Sequence, residues 1–377
     1  MKKIAALIMA VMVVMCFAVP PVSAEEEVME IAAPSAVLME QSSGKVLFEK
    51  NAHDVRPCAS ITKVMTLILT FEAIEAGNLS YDEMLSASAH ASSMGGSDIW
   101  LKEGESMSVN DLIKATVVMS ANDAAVVLAE SVAGSEEAFV ARMNEKAQVL
   151  GMNDTVFKNC NGLDEEGHVT SAYDVALMSR ELMNYPKIFE FTNIWIDYVR
   201  DGATQLVNTN KLIKSYKGIT GLKTGTTSQA GSCVSATAER DGMSLISVIL
   251  GAGSSDDRFS DAAAVLNYGF ANYTVLSPDA PQIEDISIRG GMCKTVKGEF
   301  ENSPKILAAV KDKGSLETKV NINEDIEAPV EKGQIIGSVQ YMIGGQVATE
   351  TPIKAADNVE KITFSSAFCK IMQLYLS

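Results

Sequence analysis

Between Ser60 and about Ala76 the chain is apolar on nearly every side of a helical projection. Ile61, Val64, Met65, Leu67, Ile68, Leu69, Phe71 and Ile74 leave no wet stripe, and Gly77-Asn78 closes the segment. A helix of this kind must be wrapped by other elements, so it belongs inside a layered domain. The chain can supply those layers, since its 377 residues are more than twice the roughly 150 of an ordinary domain and predict two folded units. Hydrophobic residues at 47% against 21% charged ones exclude wholesale disorder and a multispanning membrane protein. The balance of 31 basic and 48 acidic side chains gives a net charge of -17, which repels a phosphate backbone and argues against nucleic acid as a partner.

The remaining patterns place this helix in an α+β domain. Ala36 to Gln41 and Lys45 to Glu49 flank Ser42-Ser43-Gly44, a hairpin signal. Helical patterns run through Val109 to Val132, Glu136 to Leu150 and Ala172 to Met183. The period then changes to that of strands. Trp195 to Arg200 and Ala203 to Val207 flank Asp201-Gly202, Ser232 to Glu239 and Met243 to Leu250 flank Asp241-Gly242, and a helix from about Asp257 to Ala271 follows. This order predicts one antiparallel sheet, holding the first and last strands, with helical layers. After Ser277-Pro278-Asp279-Ala280-Pro281 the chain reads as short Val/Ile/Lys-rich runs with glycine turns, predicting a small all-β domain over 275–357. In the last stretch, Lys361 to Ser377, the residues Thr363, Ser366, Lys370, Gln373 and Ser377 share one narrow face, and apolar residues cover the rest. Residues 358–377 are therefore expected to form an amphipathic helix lying on a membrane surface, the alternative being a helix packed back on the β domain.

The amino terminus points to export. Lys2 and Lys3 precede an apolar run from Ile4 to Val19, and Val22-Ser23-Ala24 offers small residues ahead of Glu25-Glu26-Glu27. Residues 1–24 read as a cleaved signal peptide, and 25–274 as the first folded domain. The run is shorter than the roughly 20 residues of a spanning helix. Cys16 leaves with the leader, and Cys58, Cys160, Cys233, Cys293 and Cys369 remain. They are widely spaced, odd in number and without a CxxC pair, so they predict small buried hydrophobes and neither a zinc site nor a disulfide framework.

The chemistry rests on serine and lysine. Ser-x-x-Lys occurs at Ser42/Lys45 and at Ser60/Lys63, but only the second opens a buried helix, where residues three apart share a face. A helix start there favours a nascent alkoxide, and burial with a second nearby cation would lower the Lys63 pKa enough for it to act as a base. Taken alone, the pair reads better as a serine cap and a snorkelling lysine. Ser-x-Asn occurs at Ser108/Asn110, which opens a helix as a cap, and at Ser120/Asn122, which interrupts a very apolar run. Lys223-Thr224-Gly225 lies in a strand-like stretch from Ile219 to Thr227, and the expected chance occurrence of this triplet is on the order of a tenth.

Ser60-Ile61-Thr62-Lys63, Ser120-Ala121-Asn122 and Lys223-Thr224-Gly225, in that order, resemble the three active-site motifs of penicillin-binding proteins and serine β-lactamases. The flanks Arg56-Pro57-Cys58-Ala59, Asn161-Gly162-Leu163-Asp164 with Gly167-His168, and Ala230-Gly231 are similar to the low-molecular-mass serine D-alanyl-D-alanine carboxypeptidases of the peptidase S11 type. The resemblance runs from about residue 30 to the end. It implies a β-lactamase/transpeptidase-like α+β domain followed by the β domain and the amphipathic tail. It implies that Ser60 attacks the carbonyl between two terminal D-alanines of a peptidoglycan stem peptide and that Lys63 is the base. Ser120 would relay a proton to the departing D-alanine, and Asn122 would hold the substrate amide. Lys223 would supply positive potential within the Lys223-Thr224-Gly225 strand, Thr224, Thr226 and Arg258 would bind the free carboxylate, and the N–H groups of Ser60 and Thr226 would form the oxyanion hole. Acylation by β-lactam antibiotics, a location at the outer face of the cytoplasmic membrane and cell wall, and no metal or organic cofactor follow from the same resemblance.

Three alternatives stand beside this reading. A Ser-His-Asp triad would need a G-x-S-x-G elbow, which is absent, and His53, His90 and His168 have no serine partner identifiable by sequence; His168 is expected to be structural. A β-lactamase would need a deacylating carboxylate, and Glu181-Leu182-Met183-Asn184 has the wrong spacing for one. A non-catalytic cell-wall scaffold would not need the complete set of motif residues.

Overall fold

The computed structural model describes residues 29–300 and 303–376; the predicted signal peptide lies outside the described residues. Residues 29–31 carry neither helix nor strand. From Ala32 onward the chain builds a five-stranded antiparallel sheet. Its members are β1 (Ser35–Glu40), β2 (Val46–Lys50), β5 (Ile219–Thr227), β6 (Gly231–Arg240) and β7 (Met243–Ala252), in the spatial order β2-β1-β7-β6-β5. The first strand among the described residues thus pairs with the last strand of this sheet, with Val37 opposite Val248. Every residue of β1 is buried, because helices cover both faces of the sheet.

On one face lie α1 (Lys63–Glu75), α2 (Val109–Val118), α3 (Asn122–Ala133), α4 (Glu136–Val149) and α5 (Ala172–Leu182), which share a core with Val37, Met39, Ile246 and Val248. On the other lies α6 (Ser255–Asn272), whose Gly269 approaches the side chains of Leu38 and Leu245. The hairpin β3 (Ile196–Val199) and β4 (Thr204–Val207) forms a separate two-stranded ribbon.

Two local expectations are corrected. The buried helix does not begin at Ser60: a 3₁₀ turn, Ala59–Thr62, precedes it, entered through Ala59 at φ +51°. The predicted helix over 109–132 is two helices, because Ser120 adopts φ +65° and two hydrogen bonds, from Ser97 Oγ to the Met119 carbonyl and from the Thr209 N–H to the Val118 carbonyl, draw off carbonyls that a continuing helix would use. Ser108 caps α2, its Oγ accepting from the Asp111 N–H.

Beyond α6, Tyr273–Leu276 pairs with Ile306–Ala309, and a four-stranded sheet runs in the order Gly298–Phe300, Gln346–Ala355, Ile335–Ile343, Leu316–Ile322. This all-β region has its own core around Ile336, Val339, Tyr341 and Ile353. Helix α7 (Phe364–Leu376) follows, entered through a reciprocal Thr363–Ser366 cap. Its Phe364 is 88% exposed and Ile371 60%, so the β domain does not cover this face. Among the described residues no helix is long and apolar enough to cross a membrane. Of the five cysteines, Cys58, Cys160 and Cys233 are buried as expected, whereas Cys293 and Cys369 are exposed; all five are free thiols.

Candidate active site

The turn Ala59–Thr62 and the first residue of α1 bring Ser60 and Lys63 onto one face. Lys63 is fully buried, and its Nζ lies 3.0 Å from Ser60 Oγ, 2.6 Å from Asn122 Oδ1 and 2.6 Å from the Asn161 carbonyl. Asn122 Nδ2 donates to the Gly95 carbonyl at 2.6 Å, which sets the amide's orientation and leaves Oδ1 for Lys63. Two neighbours of Nζ are therefore obligate acceptors, and the third is a hydroxyl that can donate. A neutral amine, with two hydrogens and one lone pair, matches that set with its lone pair toward Ser60. Burial lowers the Lys63 pKa to about 7, opposed by the nearby Asp98 and Asp123 carboxylates. Of the two causes expected from the sequence, burial lowers this pKa, and no second cation contributes to the shift.

Across the site, Lys223 on β5 is 2% exposed, and its Nζ lies 2.8 Å from Ser120 Oγ and 3.1 Å from the Thr224 carbonyl. Burial pushes its pKa well below the ordinary lysine value, and the charges of Lys63 and Arg258 add to this. The kink at Ser120 between α2 and α3 aims this hydroxyl at Lys223 while Asn122, at the head of α3, faces Lys63. Two serine–lysine pairs thus face one another.

Arg258, in the first turns of α6, binds the end of β5. Its Nη1 donates to the Gly225 carbonyl at 2.9 Å and to Thr226 Oγ1 at 2.8 Å, and burial lowers its pKa. Thr226 is exposed, whereas Thr224 is buried with its Oγ1 2.6 Å from Thr209 Oγ1. Gly225 lies under the Ser60 turn, where a Cβ would come within 2.6 Å of the Cys58 carbonyl and 3.0 Å of the Ser60 nitrogen. Gly162 crowds the turn from the other side: at φ +86° its Cβ would stand 2.0 Å from the Ala59 carbonyl oxygen.

The candidates set aside have other duties. His168 Nδ1 accepts from the Lys158 N–H at 3.1 Å, which leaves Nε2–H for Thr62 Oγ1 at 2.8 Å, and Thr62 in turn donates to the Ala59 carbonyl at 2.9 Å. It braces the Ala59–Thr62 turn as a neutral imidazole, burial having lowered its pKa to about 4. His53 bonds Asp154, His90 bonds Glu136, and Glu181 bonds Lys146 in the helical layer. Cys58 Sγ lies 3.5 Å from Thr62 Oγ1, with its thiol pushed up to about 12 by burial, so it is unreactive. Among the described residues no group of three or more His, Cys, Asp or Glu side chains could hold a metal ion. The Asn161 carbonyl, the Gly95 carbonyl and the Ser97 carbonyl, which accepts the Asn122 N–H at 2.6 Å, went unseen in the sequence. Backbone acceptors leave no residue-type signal; only the glycine at 162 hinted at a close approach.

A serine paired with a fully buried lysine at the head of a core helix, a second serine–lysine pair opposite it, and a sheet strand closing the cleft define a chain of the penicillin-binding-protein class with the transpeptidase fold. The family model described as D-alanyl-D-alanine carboxypeptidase matches residues 21–254, and that of the penicillin-binding protein 5 C-terminal domain matches residues 270–361. The chain is 38% identical over 340 residues to D-alanyl-D-alanine carboxypeptidase DacF of Bacillus subtilis, covering 88% of this chain and 87% of that one. Its fold is similar to penicillin-binding protein 5 of Haemophilus influenzae, with TM-score 0.77 and 27% identity over 88% of this chain and 99% of the other. It is also similar to ampicillin-bound penicillin-binding protein D2 of Listeria monocytogenes, with TM-score 0.59 and 36% identity over 64% of this chain and 99% of the other. The chain belongs to the D-alanyl-D-alanine carboxypeptidase family, peptidase S11.

Proposed function

We propose that this chain hydrolyses the terminal D-Ala-D-Ala bond of peptidoglycan stem pentapeptides through a Ser60 acyl-enzyme. The observation that carries the reading is the 3.0 Å contact between Ser60 Oγ and a fully buried Lys63, facing the Ser120–Lys223 pair. Neutral Lys63 takes the Ser60 proton as Oγ attacks the carbonyl carbon, and the oxyanion is received by the N–H groups of Ser60 and Thr226. Ser120, held by Lys223, passes its proton to the departing amine as the C–N bond breaks and takes in exchange the proton that Lys63 carries, so Lys63 is neutral again as free D-alanine leaves. Water, deprotonated by neutral Lys63, then attacks the ester, and as the C–Oγ bond breaks Lys63 returns that proton to Ser60. Arg258, Thr226, Thr224 and the Lys223 charge favour a substrate with a free terminal carboxylate, which is the feature that separates a carboxypeptidase from a general peptidase. Asn122 holds the substrate amide, and Gly225 lets the β5 strand lie close to the Ser60 turn.

β-Lactams place a strained amide and a carboxylate in the same positions, so they acylate Ser60. The ampicillin-bound Listeria relative supports this. Action on peptidoglycan implies a cell-wall, periplasmic or extracellular location. The leader at 1–24 and the exposed apolar face of α7 support the finer reading of an exported protein held at the outer face of the cytoplasmic membrane by residues 358–377, with the β domain of 275–357 between the anchor and the catalytic domain of 25–274.

The test is D-alanine release from a synthetic stem pentapeptide by residues 25–377 beside Ser60→Ala. Release that disappears in the variant, together with penicillin labelling of the wild type alone, is the expected result. Penicillin labelling without release would overturn the carboxypeptidase reading in favour of another acyl transfer, and absence of both would indicate a wall-binding scaffold.

A further inference from the structure

Trp100 is 71% exposed and adopts φ +56°, a conformation rare for a bulky aromatic residue. It is held there from both sides. The Asp123 carboxylate accepts from the N–H groups of Ile99 at 3.2 Å and Leu101 at 2.9 Å, and both of those side chains are buried. Arg200, itself at φ +57°, donates Nη1 to the Ile99 carbonyl at 2.8 Å and to Thr204 Oγ1 at 2.9 Å, and its Nε pairs with Glu105. The clamp also keeps Asp123 beside Asp98, whose pKa is raised by burial and by that neighbouring charge. Strain of this kind persists where surroundings over-determine it, and it concentrates at functional sites. Here its effect is to pin an indole in solvent, on the loop that serves Asn122: Ser97, three residues before Trp100, accepts the Asn122 N–H, and Asp123 is the residue after Asn122.

The indole borders an open concavity of about 660 Å³ whose other walls include Lys102, Glu103, Glu105, Arg200 and Thr204. Two cations and two carboxylates cancel, Arg200 and Glu105 by pairing with each other, so the wall is polar with no net charge. That set gains little from an ionic peptide group. It suits a neutral ring bearing hydroxyl and amide groups on its edge and an apolar C–H face, which an aromatic plate can stack.

We propose that Trp100 is the platform of a second subsite, beside the catalytic cleft, that takes an N-acetylated hexosamine ring of the glycan strand from which the stem peptide hangs. The identity of that strand as ligand rests on the carboxypeptidase reading above; the binding measurement does not. The chain has two tryptophans, and the other, Trp195, is covered by Lys214 Nζ 4.9 Å from its ring centre. A Trp195→Phe variant therefore leaves Trp100 as the sole indole reporter.

Titration of that variant with the tetramer of N-acetylglucosamine is expected to shift Trp100 emission saturably, with the glucose tetramer giving at least a tenfold weaker response. No saturable change with the N-acetylated tetramer, or an equal response to both sugars, overturns the proposal. In kinetics, the wild type is expected to favour a disaccharide-pentapeptide over the free pentapeptide in kcat/KM. Trp100→Ala should remove at least fivefold of that preference, chiefly in KM, with the free pentapeptide unaffected, and Trp100→Phe should retain most of it. An equal loss on both substrates would make Trp100 only a support for the Asn122 loop and overturn the subsite. D-Alanine release from neither substrate would refute the carboxypeptidase reading, while the fluorescence titration would still decide the sugar site.

Discussion

The carbonyl of Asn161 accepts a hydrogen bond from Lys63 Nζ at 2.6 Å, across 98 positions of chain. This contact and the one to Asn122 Oδ1 occupy two of the amine's directions and leave the third for Ser60, so the loop at 159–164 sets the direction of the lone pair as well as the position of the nitrogen. With the Lys63 pKa at about 7, the neutral form falls about tenfold for each pH unit below that value. Second-order acylation by benzylpenicillin, followed by stopped flow, should therefore rise with pH and level off above about 8. A profile flat between about pH 5 and 8 would remove Lys63 as the titrating base.

Gly162→Ala tests the closeness of that loop to the nucleophile. The added Cβ meets the Ala59 carbonyl at 2.0 Å and also sits at φ +86°, so the loop and the Ser60 turn must separate. The variant should lose about 2–4 kcal/mol of stability. Its acylation rate, measured at a temperature where it is fully folded, should fall by at least about tenfold, since small displacements of a reacting pair are costly.

His168 makes a prediction about acid. Its folded pKa of about 4 lies below the ordinary 6.5, so the unfolded chain binds more protons between those values and stability falls as pH drops through that window. The loss from this group amounts to about 3 kcal/mol when complete. His168→Gln can keep both hydrogen bonds and does not titrate. It should be less stable than wild type near neutrality, and the gap in denaturant midpoint should narrow at about pH 4.5. A constant gap would assign the acid sensitivity elsewhere.

The exposed Phe364, Phe368 and Ile371 of α7 give the anchor reading its test. The chain from residue 25 should sediment with vesicles containing anionic phospholipid, and the same chain ending at residue 357 should stay in the supernatant with D-alanine release from a soluble pentapeptide unchanged. Equal sedimentation of both would move the membrane contact to another surface.

Much of the architecture was legible because it is local. Apolar periodicity marked α1, α4, α5 and α6, and the Asp201-Gly202 and Asp241-Gly242 turns marked their hairpins, since a period and a turn are properties of adjacent residues. The facing of Ser60 and Lys63 came from the same source, because three residues of helical backbone set it. The sequence by itself therefore determined the element order, the motif serines and lysines and the family to which they belong. What only the tertiary structure decided lies between distant segments: the break at Ser120, the Asn161 carbonyl on Lys63, His168 beneath Thr62, and Trp100 held in solvent by Asp123 and Arg200. Each depends on a backbone group or an unusual φ that packing imposes, and neither leaves a periodic or compositional trace in one dimension.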